Sequence, residues 1–233
     1  MNAAAPQYSP SSPFEFEWVR PPRQARSQQT FERILDAAEQ LVLQRGADAT
    51  SVSAIAKAAG SSVGAFYARF KDKEGLLRVL FERFYAEAGA TIDSILDADR
   101  WQGVETRDMV RGAIRFMIDV FRERRYLIAA FSVRAARDES LKSLSEGMGM
   151  HIARKFAELL EARGETLRSH DDPVQAIAFT TWLVMSALEA RTVYASAQPS
   201  FMEADRLMPE IVSMCLGYLG LEEKPMTSVP SPA

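Results

Sequence analysis

The sequence predicts an all-α protein of nine helices, and three observations predict it. Apolar residues recur at three- and four-residue spacing almost throughout, and no stretch alternates apolar and polar residues over strand length. Between the two ends of the chain only Pro173, Pro199 and Pro209 interrupt this pattern. Small polar residues and glycines stand where helix starts and stops fall.

Each element follows from its local pattern. Helix 1 is expected from about Thr30 to Arg45, with Phe31, Ile34, Leu35, Ala38, Leu41 and Val42 on one face and Gly46 as the stop. A short helix 2 starts near Val52, with Thr50 or Ser51 as N-cap, buries Val52, Ile55, Ala56 and Ala59, and ends at Gly60. Helix 3 covers about Val63 to Phe70, capped by Ser61 or Ser62. Asp72 caps a long helix 4 that runs to about Leu96. Helices are then expected near 105–122, 125–136, 139–163, 173–196 and 203–220.

Composition narrows the function classes. With 47% hydrophobic and 25% charged residues among 233, the chain has the make-up of a globular protein. A single cysteine, Cys215, leaves no intramolecular disulfide and no cysteine-based zinc cluster. The two histidines, His151 and His170, are too few for a histidine-rich metal site. No cofactor is implied, and no nucleophile elbow or phosphate loop appears, so the chain is expected not to be an enzyme. No run of about 18 apolar residues predicts a membrane span. The N-terminus lacks the basic start and apolar core of a signal peptide, so a cytoplasmic protein is expected.

The formal net charge of −3 hides an asymmetry. Residues 20–73 carry nine Lys/Arg against five Asp/Glu, while the remainder is acidic. A basic N-terminal segment on an acidic body fits a polyanion-binding head.

The stretch Thr50–Lys73, TSVSAIAKAAGSSVGAFYARFKDK, carries the chemistry. Two short helices meet at a tight Gly60-Ser61-Ser62 turn, and Ala56, Ala59, Gly64 and Ala65 allow close packing. That is the build of a helix-turn-helix whose second helix enters the major groove of DNA. Phe66 and Phe70 point inward with Val63 nearby, which leaves Ser62, Gly64, Ala65 and Arg69 for the groove. Arg69 is the long donor of this helix, for a guanine or a phosphate. The Tyr67 hydroxyl suits a phosphate oxygen, as does Lys73 at the N-terminus of helix 4. The start of helix 2, with Thr50, Ser51 and Ser53, offers the same geometry.

From about Arg26 to Phe84 the sequence resembles the DNA-binding domain of the tetracycline-repressor-like (TetR) family, through ILDAAEQLVLQRGADATSVSAIAKAAG and SSVGAFYARFKDKEGLL. The resemblance implies a homodimer in which helices 8 and 9 pair with their symmetry mates. It also implies an effector pocket among helices 4 to 8 and release of DNA when helix 4 moves. Carried over by position, the family's DNA contacts fall on Ser61, Ser62, Val63, Gly64, Tyr67, Arg69 and Lys73. Ala65 stands where the family commonly has threonine, which removes one possible polar contact.

The division expected is a flexible extension over 1–22, a DNA-binding domain over 23–84, an effector and dimerisation domain over 85–222, and a flexible tail over 223–233. Arg20, Arg23 and Arg26 read as a basic arm beside the main site, whereas Phe14, Phe16 and Trp18 read as a segment that docks on the body. Met109, Phe116, Met117, Phe131, Met148, His151, Phe179, Trp182 and Met185 are the candidate effector-lining residues, with ordinary core packing as the alternative. Gly147 and Gly149 mark a kink or a close helix contact in helix 7, with an unexploited defect as the alternative. Helix 8 is apolar nearly all round and needs burial on two sides, and a second copy of the chain is the simplest second partner. The partners expected are double-stranded operator DNA, a second copy and a small apolar effector, with no membrane. A carrier or enzyme that keeps the motif as a packing element, and a nucleoid-type binder without an effector, are the competing readings.

Overall fold

The computed structural model describes residues 25–165, 167, 170–193 and 204–221. The two tails lie outside the described residues, as do the aromatic residues at 14, 16 and 18 and the side chains of the arginines at 20, 23 and 26. Among the described residues the chain forms nine α-helices and one 3-10 turn: α1 (Ala25–Arg45), α2 (Val52–Ala58), α3 (Val63–Tyr67), α4 (Lys73–Ile95), the turn Ala98–Trp101, α5 (Thr106–Glu123), α6 (Arg125–Ala135), α7 (Glu139–Ala162), α8 (Pro173–Val193) and α9 (Ala204–Leu219).

The chain divides into two compact units. The first takes the residues up to Ile92 together with Val120–Met148, and the second takes Asp93–Asp119 together with the chain from Gly149 onward. In the first unit, α1 buries Phe31, Ile34, Leu35, Ala38 and Val42, the face its periodicity predicts. It begins five residues earlier than Thr30 because its first turns are polar, so periodicity carries no signal there. A Gln28 to Glu32 side-chain bond of 2.6 Å supports that stretch.

Leu127, Ala130, Phe131 and Leu141 from α6 and α7 join the same core as α1 and the first half of α4. Phe131 meets Phe81 edge-on at 5.2 Å and Tyr85 at 5.0 Å. Arg83 of α4 is mostly buried against α1, with Asp36 at 2.7 Å, Glu39 in close contact and Glu32 at 3.9 Å. Burial works against its charge, but the Asp36 hydrogen bond and the Glu39 charge outweigh burial and hold its pKa above the ordinary value. Glu39 also pairs with Arg124, at the start of α6.

The second unit has its own core, with Met109, Val110 and Ile114 of α5, Ala153, Phe156 and Leu160 of α7, Ile177 and Val184 of α8, and Ile211 and Cys215 of α9. Trp101 donates its Nε1–H to the Ile95 carbonyl at 2.6 Å. Its ring lies so close to Gly112 that an added Cβ would stand 2.6 Å from Cη2, so α5 requires glycine there. Arg163 closes the connection before α5 by donating to the carbonyls of Trp101 and Val104.

Gly147 and Gly149 meet nothing within 4 Å where a Cβ would stand, so neither serves a close helix contact within the described residues. α7 runs through both as regular helix. Pro209 sits inside α9, in its second turn.

Candidate nucleic-acid interface

The helix-turn-helix is built by short-range bonds that its sequence specifies. Ser51 is the N-cap of α2, its Oγ accepting the Ala54 N–H at 3.2 Å. α2 closes with Gly60 at φ +57°, where Gly60 N–H donates to Lys57 O and Ser61 N–H to Ala56 O. That paired closure needs the left-handed conformation that glycine adopts freely. Ser62 then caps α3, accepting the Ala65 N–H at 3.0 Å. Beneath α3, Phe66 and Phe70 are fully buried, and Phe70 stacks on Phe31 of α1 at 5.1 Å. Asp72 accepts the Gly75 N–H at 2.8 Å and starts α4.

This anchoring turns one face of α3 outward. Ser62, Val63, Gly64 and Tyr67 are exposed, Tyr67 by 51%, while Ser61 and Ala65 are half-buried. The sequence pattern puts Val63 near the inner face; instead it is 42% exposed, because Phe66 and Phe70 already fill the space below. A Cβ on Gly64 would meet only the Ser62 Oγ, at 3.8 Å, so nothing else among the described residues lies over this point of the helix.

The charged candidates are less free than the sequence implies. The Arg69 guanidinium donates to the Ser27 hydroxyl, the Ser27 carbonyl and the Ala65 carbonyl, so it folds back along α1 and α3. Lys73 donates its Nζ–H to the Ala47 carbonyl at 3.1 Å. Thr50 is 1% exposed, and its hydroxyl is spent on the Gly46 carbonyl at 2.8 Å. Its side chain therefore supports the loop before α2 and does not reach a ligand; Ser51, one residue on, is exposed. Sequence reasoning passes over Lys57, which is exposed one turn after Ser53 on α2. The four-residue spacing of those two polar positions is the signal that could find it.

The nine candidate effector residues fall in both units. Phe131 and Met148 belong to the first unit and the other seven to the second. Met109 is fully buried core. His151 places Nε2 2.9 Å from Asp93 Oδ1. Phe116, Met117 and Met185 are half-buried. Phe179 and Trp182 are exposed, Trp182 by 61%, and with Tyr218 and Met214 they form an aromatic surface on α8 and α9. An apolar side chain at helical spacing reads alike whether it faces a pocket, a core or a partner, and these two face away from their own core.

Comparison with known proteins agrees with this arrangement. Residues 34–80 match the profile of bacterial regulatory proteins of the tetR family, and residues 107–219 match the tetracycline repressor-like C-terminal domain. The HTH-type transcriptional regulator AcrR of Shigella flexneri is 46% identical over 56 residues, which is 24% of this chain and 26% of that protein. The match thus spans about a quarter of that relative's length. A TetR-family regulator of Mesorhizobium loti shares the fold with a TM-score of 0.65 at 23% identity, over 83% of this chain and 98% of that one. The Thermus thermophilus repressor FadR, solved with lauroyl-CoA, superposes with a TM-score of 0.55 at 20% identity, over 87% of this chain and 99% of that one. No helix among the described residues is long and apolar enough to cross a membrane. The two profiles match well over half of the sequence, head before body, and the chain belongs to the TetR family of bacterial regulatory proteins.

Proposed function

We propose that the protein is a homodimeric, ligand-responsive transcriptional repressor that grips a pseudo-palindromic operator in the cytoplasm and is released from it by a small apolar effector. The observation that carries the reading is the outward face of α3. Ser62, Val63, Gly64 and Tyr67 stand clear of the protein on a helix held from below by Phe66 and Phe70. Short side chains at the first three positions admit base edges, and Tyr67 with Ser51, Ser61 and Lys73 supplies phosphate donors. Arg69 joins them once it leaves Ser27. Two such heads related by a two-fold axis require half-sites one helical turn or a multiple apart.

The second copy docks on α8 and α9. The exposed Phe179, Trp182, Met214 and Tyr218 support this, because an apolar surface of that kind is costly in water. The apolar character of the effector rests on the half-buried Phe116, Met117 and Met185 and on the lauroyl chain of the lauroyl-CoA in the Thermus relative's structure.

The test is a titration of wild type, Gly64→Leu and Lys73→Ala against an operator recovered from a random pool and against a scrambled duplex, at two salt concentrations. The open space over Gly64 lets leucine fold normally, so Gly64→Leu should abolish operator binding with dimer and stability intact. Lys73→Ala should weaken both duplexes alike and lower the salt slope by about 1 for each phosphate that the lysine neutralises. Operator binding by Gly64→Leu at wild-type strength would remove α3 from the groove.

A further inference from the structure

A cleft of about 750 Å³ opens in the first unit, between the end of α1, the loop that follows it, the first turns of α4, and α6 with its corner to α7. Its apolar lining includes Phe81, Tyr126, Ala129, Val133 and Leu141. Tyr126 and Val133 are exposed there, Val133 by 54%. Four arginines and three carboxylates also line it.

The pairing among those charges is uneven. Arg134 grips Glu74 with two bonds, of 2.7 and 3.0 Å, and has Asp48 at 3.7 Å. The Arg134 hydrogen bond holds the Glu74 carboxyl below the ordinary range. Arg78 is bound to Asp138 and Ser140. Each carboxylate in the cleft thus has an arginine. Arg45 and Arg137 are exposed at the same cleft, and neither has an acidic partner among the described residues.

We infer that this cleft binds a small amphipathic organic anion, with an aromatic or short aliphatic body against Tyr126 and Val133 and a carboxylate, sulfonate or phosphate end held by Arg45 and Arg137. The volume falls in the range of small-molecule sites, and arginine presents paired donors to such anionic groups. A cation is disfavoured because Glu74 and Asp138 are already committed. A nucleic-acid strand is disfavoured because three carboxylates share the cleft with the arginines.

The loop lining the cleft also carries Ala47, whose carbonyl holds Lys73, and runs directly into the α2 cap Ser51. An occupant therefore rests against the backbone that sets two candidate phosphate donors. The site does not depend on where the effector of the preceding section binds.

The test uses the full chain and two fluorescent probes of similar shape, anionic 8-anilinonaphthalene-1-sulfonate and neutral N-phenyl-1-naphthylamine. The variants are the exposed pair R45A/R137A and the cleft-filling Ala129→Trp, with thermal unfolding as the folding control. The anion's affinity should fall by about tenfold or more in R45A/R137A, the scale of removing charge-assisted bonds. The neutral probe should bind both proteins equally and more weakly than the anion binds wild type. Ala129→Trp should lower the affinity for the anion. Wild-type affinity for the anion in R45A/R137A or in Ala129→Trp, or equal affinity of wild type for both probes, would overturn the inference.

Discussion

Arg69 and Ser27, 42 residues apart, are joined by a 3.0 Å bond from guanidinium to hydroxyl, with a second bond of 3.4 Å to the Ser27 carbonyl. The residue with the best chemistry for a guanine is thus a strut between the end of the reading motif and α1. Ser27→Ala should cost about 0.5–1.5 kcal/mol, one ordinary hydrogen bond, and leave DNA affinity equal or higher because the guanidinium loses one of the three acceptors that hold it back. Arg69→Ala should cost at least as much stability and also weaken DNA binding. Thermal unfolding and operator titration of both variants separate the two roles. Equal loss of DNA binding in both variants would mean that the strut is what matters.

Trp182→Asp should break the dimer without unfolding the subunit. The indole is mostly in water in the single chain, so a carboxylate there leaves the core packing untouched. Leu183, next to it, is half-buried, and a charge there would damage the subunit as well. Sedimentation at micromolar concentration should give monomers for Trp182→Asp and dimers for wild type, with matching circular dichroism. A dimer that survives Trp182→Asp would move the interface elsewhere.

Two glycines on helices should respond to alanine with opposite signs. Gly147→Ala meets open space and should stabilise by about 0.5–1 kcal/mol, the helix-propensity difference. Gly112→Ala drives a methyl group into the Trp101 ring and should destabilise by about 1–3 kcal/mol. Urea midpoints for the two variants check both signs.

The Cys215 thiol should be inert in the native protein. Burial pushes its pKa up to about 11 from an ordinary 9.0, so almost none is thiolate near neutrality. A maleimide at pH 7.5 should label it only after denaturation. The folded chain keeps the proton that the unfolded chain releases, so this group's contribution to stability is whole below about pH 9 and falls as pH rises toward about 11. Cys215→Ala should lose less stability than wild type over that interval.

Local chemistry makes much of the fold legible. The α1 face, the Gly46 and Gly60 stops, and the Asp72 cap all depend on bonds made within a few residues, and sequence spacing records those directly. The Thr50/Ser51 and Ser61/Ser62 alternatives are resolved only by which hydroxyl faces the helix start. Long-range partners leave no local mark. Nothing around Arg69 points to Ser27, and nothing around Thr50 says that its hydroxyl turns back to Gly46. Phe179 and Trp182 share the helical spacing of core residues, and only the packing of α8 shows them on the outside. Phe131 packs on Phe81 and Tyr85, two contacts about fifty residues away that its own neighbourhood does not announce.

Arg83, held by Asp36 and Glu39 while Glu39 is shared with Arg124, has a consequence for how the first unit breathes. A mostly buried guanidinium cannot be abandoned by one helix while the others stay folded, because the guanidinium and the largely buried Glu39 would each lose a counter-charge in a poorly hydrated place. α1 and the first half of α4 should therefore open together. Their core amides should exchange with deuterium at a common free energy, while the amides of α9's exposed face keep their own clock.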